Sequence, residues 1–156
     1  MKNQIALPLL ALLAILALPV HADNYSVPKN AAFEEECASC HLAYPPQMLD
    51  ANSWRAVMSG LSKHFGSDAS IDESRRLAIT DFLVAHSGGR KTGETRDAKG
   101  LPLLRITETA RFEKRHRKIS AATWQHAAIK SPANCSACHP DAAAGGYSER
   151  AIRIPK

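Results

Sequence analysis

The apolar and polar positions along the chain predict helices and almost no strand. Trp54, Val57, Met58, Leu61 and Phe65 recur at the 3.6-residue period, which predicts a helix over 52–65 with one apolar stripe. His64 lies three residues from Leu61 and seven from Val57, so it faces inward with them. Gly66 is the expected stop. A second helix is expected from Ser70, with Glu73 three residues on as a capping box, through Ile79, Phe82 and Leu83 to about His86. Gly88 and Gly89 end it. Farther on, Phe112, His116 and Ile119 recur at i, i+4 and i+7, the one apolar stripe in an otherwise charged segment. "SAATWQHAAIKS" reads as a short helix capped by Ser120.

The longest apolar run, residues 5–20, has a different character. Lys2 precedes it, Pro8 and Pro19 interrupt it, and Val20-His21-Ala22 offers small residues for cleavage before Asp23. About 16 apolar residues are short for a membrane span of ~20, so the pattern predicts a cleaved secretory signal over 1–22. An exported, water-soluble protein of 134 of the 156 residues would remain. That is one domain's worth or two very small ones. Aromatic residues are only 6%, and so small a chain usually needs disulfides, a metal or a cofactor to complete its core.

Charge divides the chain. Residues 23–89 hold 5 Lys/Arg against 9 Asp/Glu, a net of −4, whereas residues 90–156 hold 14 against 6, a net of +8. The contrast fits docking to a charged partner or neutralisation of an anionic cofactor. The basic stretch "RFEKRHRKIS" has no aromatic interleaving for base stacking, and an exported protein meets little nucleic acid, so a nucleic-acid interface is not expected.

The cysteines decide the class. They fall as Cys37-Ala-Ser-Cys40-His41 and Cys135-Ser-Ala-Cys138-His139, both C-x-x-C-H, the attachment pattern of haem c. Two thiols about one helical turn apart add to the two vinyl groups on one haem edge, and the adjoining histidine ligates the iron. Zinc ribbons and redox disulfides also use C-x-x-C pairs, but neither requires histidine in the next position. Two covalent haem c groups are therefore expected.

Each iron then needs a second axial ligand, because methionine raises the potential and an open position permits ligand binding or catalysis. The candidates are His64, His86, His116, His126, Met48 and Met58. His64 is the choice for haem 1. Met58 shares its stripe and is better read as packing. His86 sits in a last helical turn, where a cation suits the helix dipole. For haem 2, His116 on its apolar stripe competes with His126, which lies near enough to Cys135 to reach, and pattern alone leaves both open.

With these residues in view, the chain resembles the small periplasmic dihaem cytochrome c family, often called DHC. The resemblance rests on "WRAVMSGLSKHFGSDASID", "AITDFL", "LRITETARFEKRHRKIS" and "SPANCSACHPDAAAGGYSERAIRIP", and spans Cys37 to Pro155. It implies a mainly α fold, with a class I cytochrome c-like N-terminal haem region and a smaller, irregular C-terminal one. It also implies bis-histidine iron at both haems, with His64 in "KHFG" and His116 in "RHRKIS" as the second ligands. The implied partners are redox proteins, a membrane cytochrome b561 and a small oxygen-binding monohaem cytochrome c.

The expected organisation is a signal (1–22), a haem 1 region (23–90), a polar linker (91–100) and a haem 2 region (101–156), with Asn134 as N-cap of the second attachment helix and Gly145-Gly146 closing that region. The expected function is periplasmic transfer of single electrons. The rival is a haem protein with one open iron that binds a small gas or acts as a peroxidase-like oxidoreductase. A subunit of a larger oxidoreductase is a third possibility.

Overall fold

Residues 24–26, 28–89 and 96–156 are described by the structure, a computed structural model. The expected signal segment and the first half of the expected linker lie outside these residues. Among the described residues five α-helices carry the fold: α1 (Ala31–Cys37), α2 (Ala51–Ser59), α3 (Glu73–Ala85), α4 (Ala110–His116) and α5 (Ala121–Trp124). Short 3₁₀ turns join them. Among the described residues there is no strand, only isolated bridges such as Asn24 with Gly146 and Arg96 with Pro102. The fold is helical. No described helix is long and apolar enough to cross a membrane.

The first three helices make the main core. Phe33 of α1, Leu49, Trp54 and Met58 of α2, and Ile79 and Leu83 of α3 form one buried cluster. Each fully buried aliphatic side chain contributes about 1.5–3 kcal/mol relative to exposure. Trp54 keeps its indole satisfied by donating Nε1–H to the Pro46 carbonyl at 2.7 Å. Met48 and Met58 are both buried, and Met58 belongs to this core cluster.

Helix starts are set by caps. Asn30 accepts from the Phe33 amide at 2.9 Å and Asp50 from the Ser53 amide at 2.7 Å. The second long helix departs from its expected start, since Asp72, not Ser70, is the N-cap and accepts from the Arg75 amide at 2.9 Å. Glu73 pairs with Arg76 instead of closing a capping box. The expected helix over 52–65 also breaks. α2 ends at Ser59 with Gly60 as C-cap, and a 3₁₀ turn, Leu61–Lys63, follows. Phe65 then has φ 51°, Gly66 has φ 102°, and Phe65 is 45% exposed rather than on the buried stripe.

The second region is built from short pieces around Ile129 and Ala142, both buried. Ser120 does cap α5, accepting from the Thr123 amide at 3.1 Å. The cysteine segment there is a 3₁₀ turn, Cys135–Ala137, and Asn134 stands at its N-cap position without a side-chain cap bond. Its Nδ2 donates to the Ile129 carbonyl at 3.1 Å instead. Gly145 ends the next turn at φ 78°, where a Cβ would collide with the Tyr25 carbonyl. That close approach lets the Tyr25 amide donate to the Gly145 carbonyl at 2.8 Å. The two regions touch here and at Tyr44, whose hydroxyl donates to the Ala133 carbonyl at 2.7 Å.

Candidate functional site

Cys37 is the last residue of α1, and Cys40 and His41 follow on the turn that leaves it. None of the four cysteines is in a disulfide. Burial, and then the Glu36 carboxylate, push the Cys37 thiol up to about 11. Burial likewise raises Cys135 and Cys138. The shifts favour the neutral thiol at these three positions, the opposite of the activated thiolates of redox disulfide motifs. Among the described residues no three His, Cys, Asp or Glu side chains gather at a metal-binding point, so the two cysteine pairs do not converge as a zinc ribbon requires.

The histidines do pair. His64 emerges from the 3₁₀ turn after α2, and its loop is closed by bonds from Ser67 to the His64 carbonyl (3.0 Å) and from Ala69 to the Leu61 carbonyl (2.9 Å). The His41 and His64 ring centroids lie 6.1 Å apart, with the ring planes 22° from parallel. His41 places Nδ1 2.7 Å from the Leu42 carbonyl. With the proton on Nδ1, Nε2 keeps its lone pair for a metal. Burial lowers the pKa of His64, and the neighbouring His41 and Arg105 lower it further. The ring therefore favours its neutral, ligating form.

The second pair has the same spacing by a different route. His116 ends α4, its Nδ1 2.9 Å from the Phe112 carbonyl and its ring 4.0 Å from that of Phe112. Its centroid lies 6.2 Å from that of His139, with the planes 78° apart. His139 is lowered in pKa by burial and then by His116. A cavity of about 1020 Å³ opens beside the pair, and its walls include Phe112, His116, Trp124, Cys135, Cys138 and His139. That volume is at the upper end of the ~300–1,000 Å³ of cofactor sites.

The spacing tests whether haem iron fits. Two metal–imidazole bonds of about 2 Å each, plus the short step from each nitrogen to its ring centre, come to about 6 Å. Both pairs meet that requirement, each beside two thiols. Two further described histidines make local bonds of their own. His126 lies beyond α5 and accepts from the Ala128 amide through Nδ1 at 3.2 Å, which places its proton on Nε2. His86 is the C-cap of α3, its Nδ1 2.8 Å from the Phe82 carbonyl.

Several residues of the site were not evident from sequence. Tyr44 stacks on His41 with centroids 5.0 Å and planes 24° apart. Tyr147 lies 5.1 Å from His139, and Trp124 lies 5.8 Å from His116. Tyr44 follows His41 by three residues, a local signal; Tyr147 and Trp124 reach their histidines only through tertiary structure.

A helical chain with two attachment motifs, each beside a facing pair of imidazoles, defines a c-type cytochrome with two haem sites. Comparison with known proteins narrows this. Residues 33–147 match the family described as Dihaem cytochrome c. The diheme cytochrome type c from Shewanella baltica OS155 is 35% identical, with a TM-score of 0.70 over 83% of this chain and 95% of that one. Two structures of the diheme cytochrome c from Rhodobacter sphaeroides are 37% and 36% identical, with TM-scores of 0.66 and 0.68. They are covered over 100% and 98% of their lengths by 78% of this chain. No curated relative matches. The chain belongs to the dihaem cytochrome c family and carries two covalently bound haem c groups.

Proposed function

We propose that the protein is a periplasmic electron carrier that moves single electrons through two bis-histidine haems. The observation that carries this reading is the pair of imidazole separations, 6.1 and 6.2 Å. Each leaves room for one iron and none for a further ligand. In this assignment Cys37 and Cys40 hold haem 1 by thioethers, and His41 and His64 ligate its iron. Cys135 and Cys138 would hold haem 2, and His139 and His116 would ligate its iron. When bound, the haems supply iron that alternates between ferric and ferrous states.

The chain's own residues do the rest. Leu42 and Phe112 fix the proton on Nδ1 of His41 and His116 through their carbonyls, leaving Nε2 to the metal. Burial keeps His64 and His139 neutral. Two imidazoles on each iron would leave no coordination site for a substrate, and would favour lower potentials than a Met/His set. This weighs against the gas-binding or peroxidase-like alternative. The implied partners are a membrane cytochrome b561 and a small oxygen-binding monohaem cytochrome c, with the membrane met only through a partner.

The ligand assignment is tested with two variants. His116→Ala is expected to convert one of the two haems to high spin, while His126→Ala leaves the low-spin spectrum intact. The reverse result overturns the assignment of haem 2. In the native protein, rapid stoichiometric binding of carbon monoxide to the reduced form would sink the pure carrier reading.

A further inference from the structure

The two imidazole pairs share a spacing but not an orientation. The planes of His41 and His64 are 22° apart, close to parallel, whereas those of His116 and His139 are 78° apart, close to perpendicular. Neighbouring side chains restrain these rings. His41 lies on the Tyr44 ring at 24°, and its Nδ1 is 2.7 Å from the Leu42 carbonyl. Tyr44 is itself anchored, its hydroxyl bonded 2.7 Å from the Ala133 carbonyl. His116 lies on Phe112 at 22°, with Nδ1 2.9 Å from the carbonyl of the same residue, and Trp124 packs 5.8 Å away at 47°. A backbone hydrogen bond and an aromatic face together oppose rotation about the Cβ–Cγ bond.

We propose that Tyr44 and Phe112 are positioning residues that hold their iron-ligating imidazoles at different angles to the opposite ligand, so that the two haems are electronically inequivalent despite identical ligand types. The inference rests on the bis-histidine assignment above. The reason is orbital. An axial imidazole interacts through its π system with the iron d orbital whose lobes lie perpendicular to the ring plane. Two parallel rings act on the same orbital and split the pair. Two perpendicular rings act on one orbital each and leave the pair nearly degenerate. A split pair quenches orbital angular momentum, and a degenerate pair retains it. The ferric iron of haem 1 thus has a rhombic magnetic response, and that of haem 2 a strongly axial one.

Electron paramagnetic resonance of the oxidised holoprotein at low temperature tests this. Two low-spin signals of equal integrated intensity are expected, one rhombic with resolved features and one with a single large g-max feature. Phe112→Leu is expected to shift only the large g-max signal, and Phe112→Tyr, which keeps the aromatic face, to restore it. Tyr44→Leu is expected to shift only the rhombic signal, and Tyr44→Phe to leave that signal close to native. Each variant is first shown to hold two haems per chain by the pyridine haemochrome assay, which separates a lost cofactor from a turned ring. Two rhombic signals in the native protein overturn the proposal, as do Leu variants with two haems and unmoved spectra. A high-spin signal in the native protein instead overturns the ligand assignment on which the inference rests.

Discussion

His86 and His116 share one local device with different outcomes. Each follows a phenylalanine by four residues at a helix end and places Nδ1 2.8 to 2.9 Å from its carbonyl, His86 tilted 42° to that ring and His116 stacked on it at 22°. At His86 the device ends α3; at His116 the ring lies 6.2 Å from that of His139. The difference lies in what faces the ring, which neither periodicity nor the nearby residue types reveals. His116 also depends on the start of its helix. α4 has seven residues, too few to be stable alone, so its N-cap carries weight. Thr109 is 2% exposed, donates Oγ1–H to the Ile106 carbonyl at 2.7 Å and accepts from the Phe112 amide at 3.2 Å. Thr109→Ala is expected to cost about 1–2 kcal/mol in denaturant unfolding of the holoprotein, and Thr109→Ser to recover most of it. An unchanged midpoint for Thr109→Ala would remove the cap from this account.

At the scale of elements, the most irregular segments carry the ligands. α2 and α3 were legible because their core positions, Trp54, Met58, Ile79 and Leu83, keep the helical period. The expected continuation to residue 65 was not borne out, because periodicity alone does not register that Gly60 ends the helix and that Phe65 and Gly66 take positive φ. His64 is half-buried and lies 6.1 Å from the exposed His41 ring, held on a turn rather than on the helix. In the second region the attachment segment is a 3₁₀ turn rather than the expected helix, and Asn134 takes the N-cap position without a side-chain cap bond because its amide is bonded to the Ile129 carbonyl. Gly145 was legible as a closing residue, though not for its reason: the contact with the Tyr25 carbonyl spans 120 positions of chain. Gly145→Ala combines that collision with a left-handed backbone and is expected to cost about 1–3 kcal/mol. Gly89→Ala, where a Cβ meets nothing within 4 Å, is expected to stay within about 0.5 kcal/mol of native. Equal unfolding midpoints for the two variants would contradict this.

Across the whole molecule the uneven charge acquires a use. Both haems have the same ligand types in the proposed assignment, so ligand identity does not separate their potentials, which leaves ring orientation, nearby charge and burial as levers. The cavity beside His116 and His139 is lined in part by Arg111, Lys114, Arg115, Arg117 and Lys118. Glu149 meets Arg115 at 3.1 Å. The helix leading to Cys37 instead carries Glu34, Glu35 and Glu36, with Arg75 paired to the last two. Adding an electron to iron is easier among cations, so haem 2 is expected to have the higher potential and to be reduced first. Electrons would then settle from haem 1 toward haem 2. At the distances of such rim charges each cation is worth on the order of tens of millivolts, and salt should shrink the gap because exposed charges are screened. A redox titration that follows the two ferric signals separately checks the order, and Arg117→Gln with Lys118→Gln should lower the haem 2 potential while leaving haem 1 in place. A haem 1 that is reduced first, with a gap indifferent to salt, would mean that burial and ring orientation, not the basic run, order the two irons.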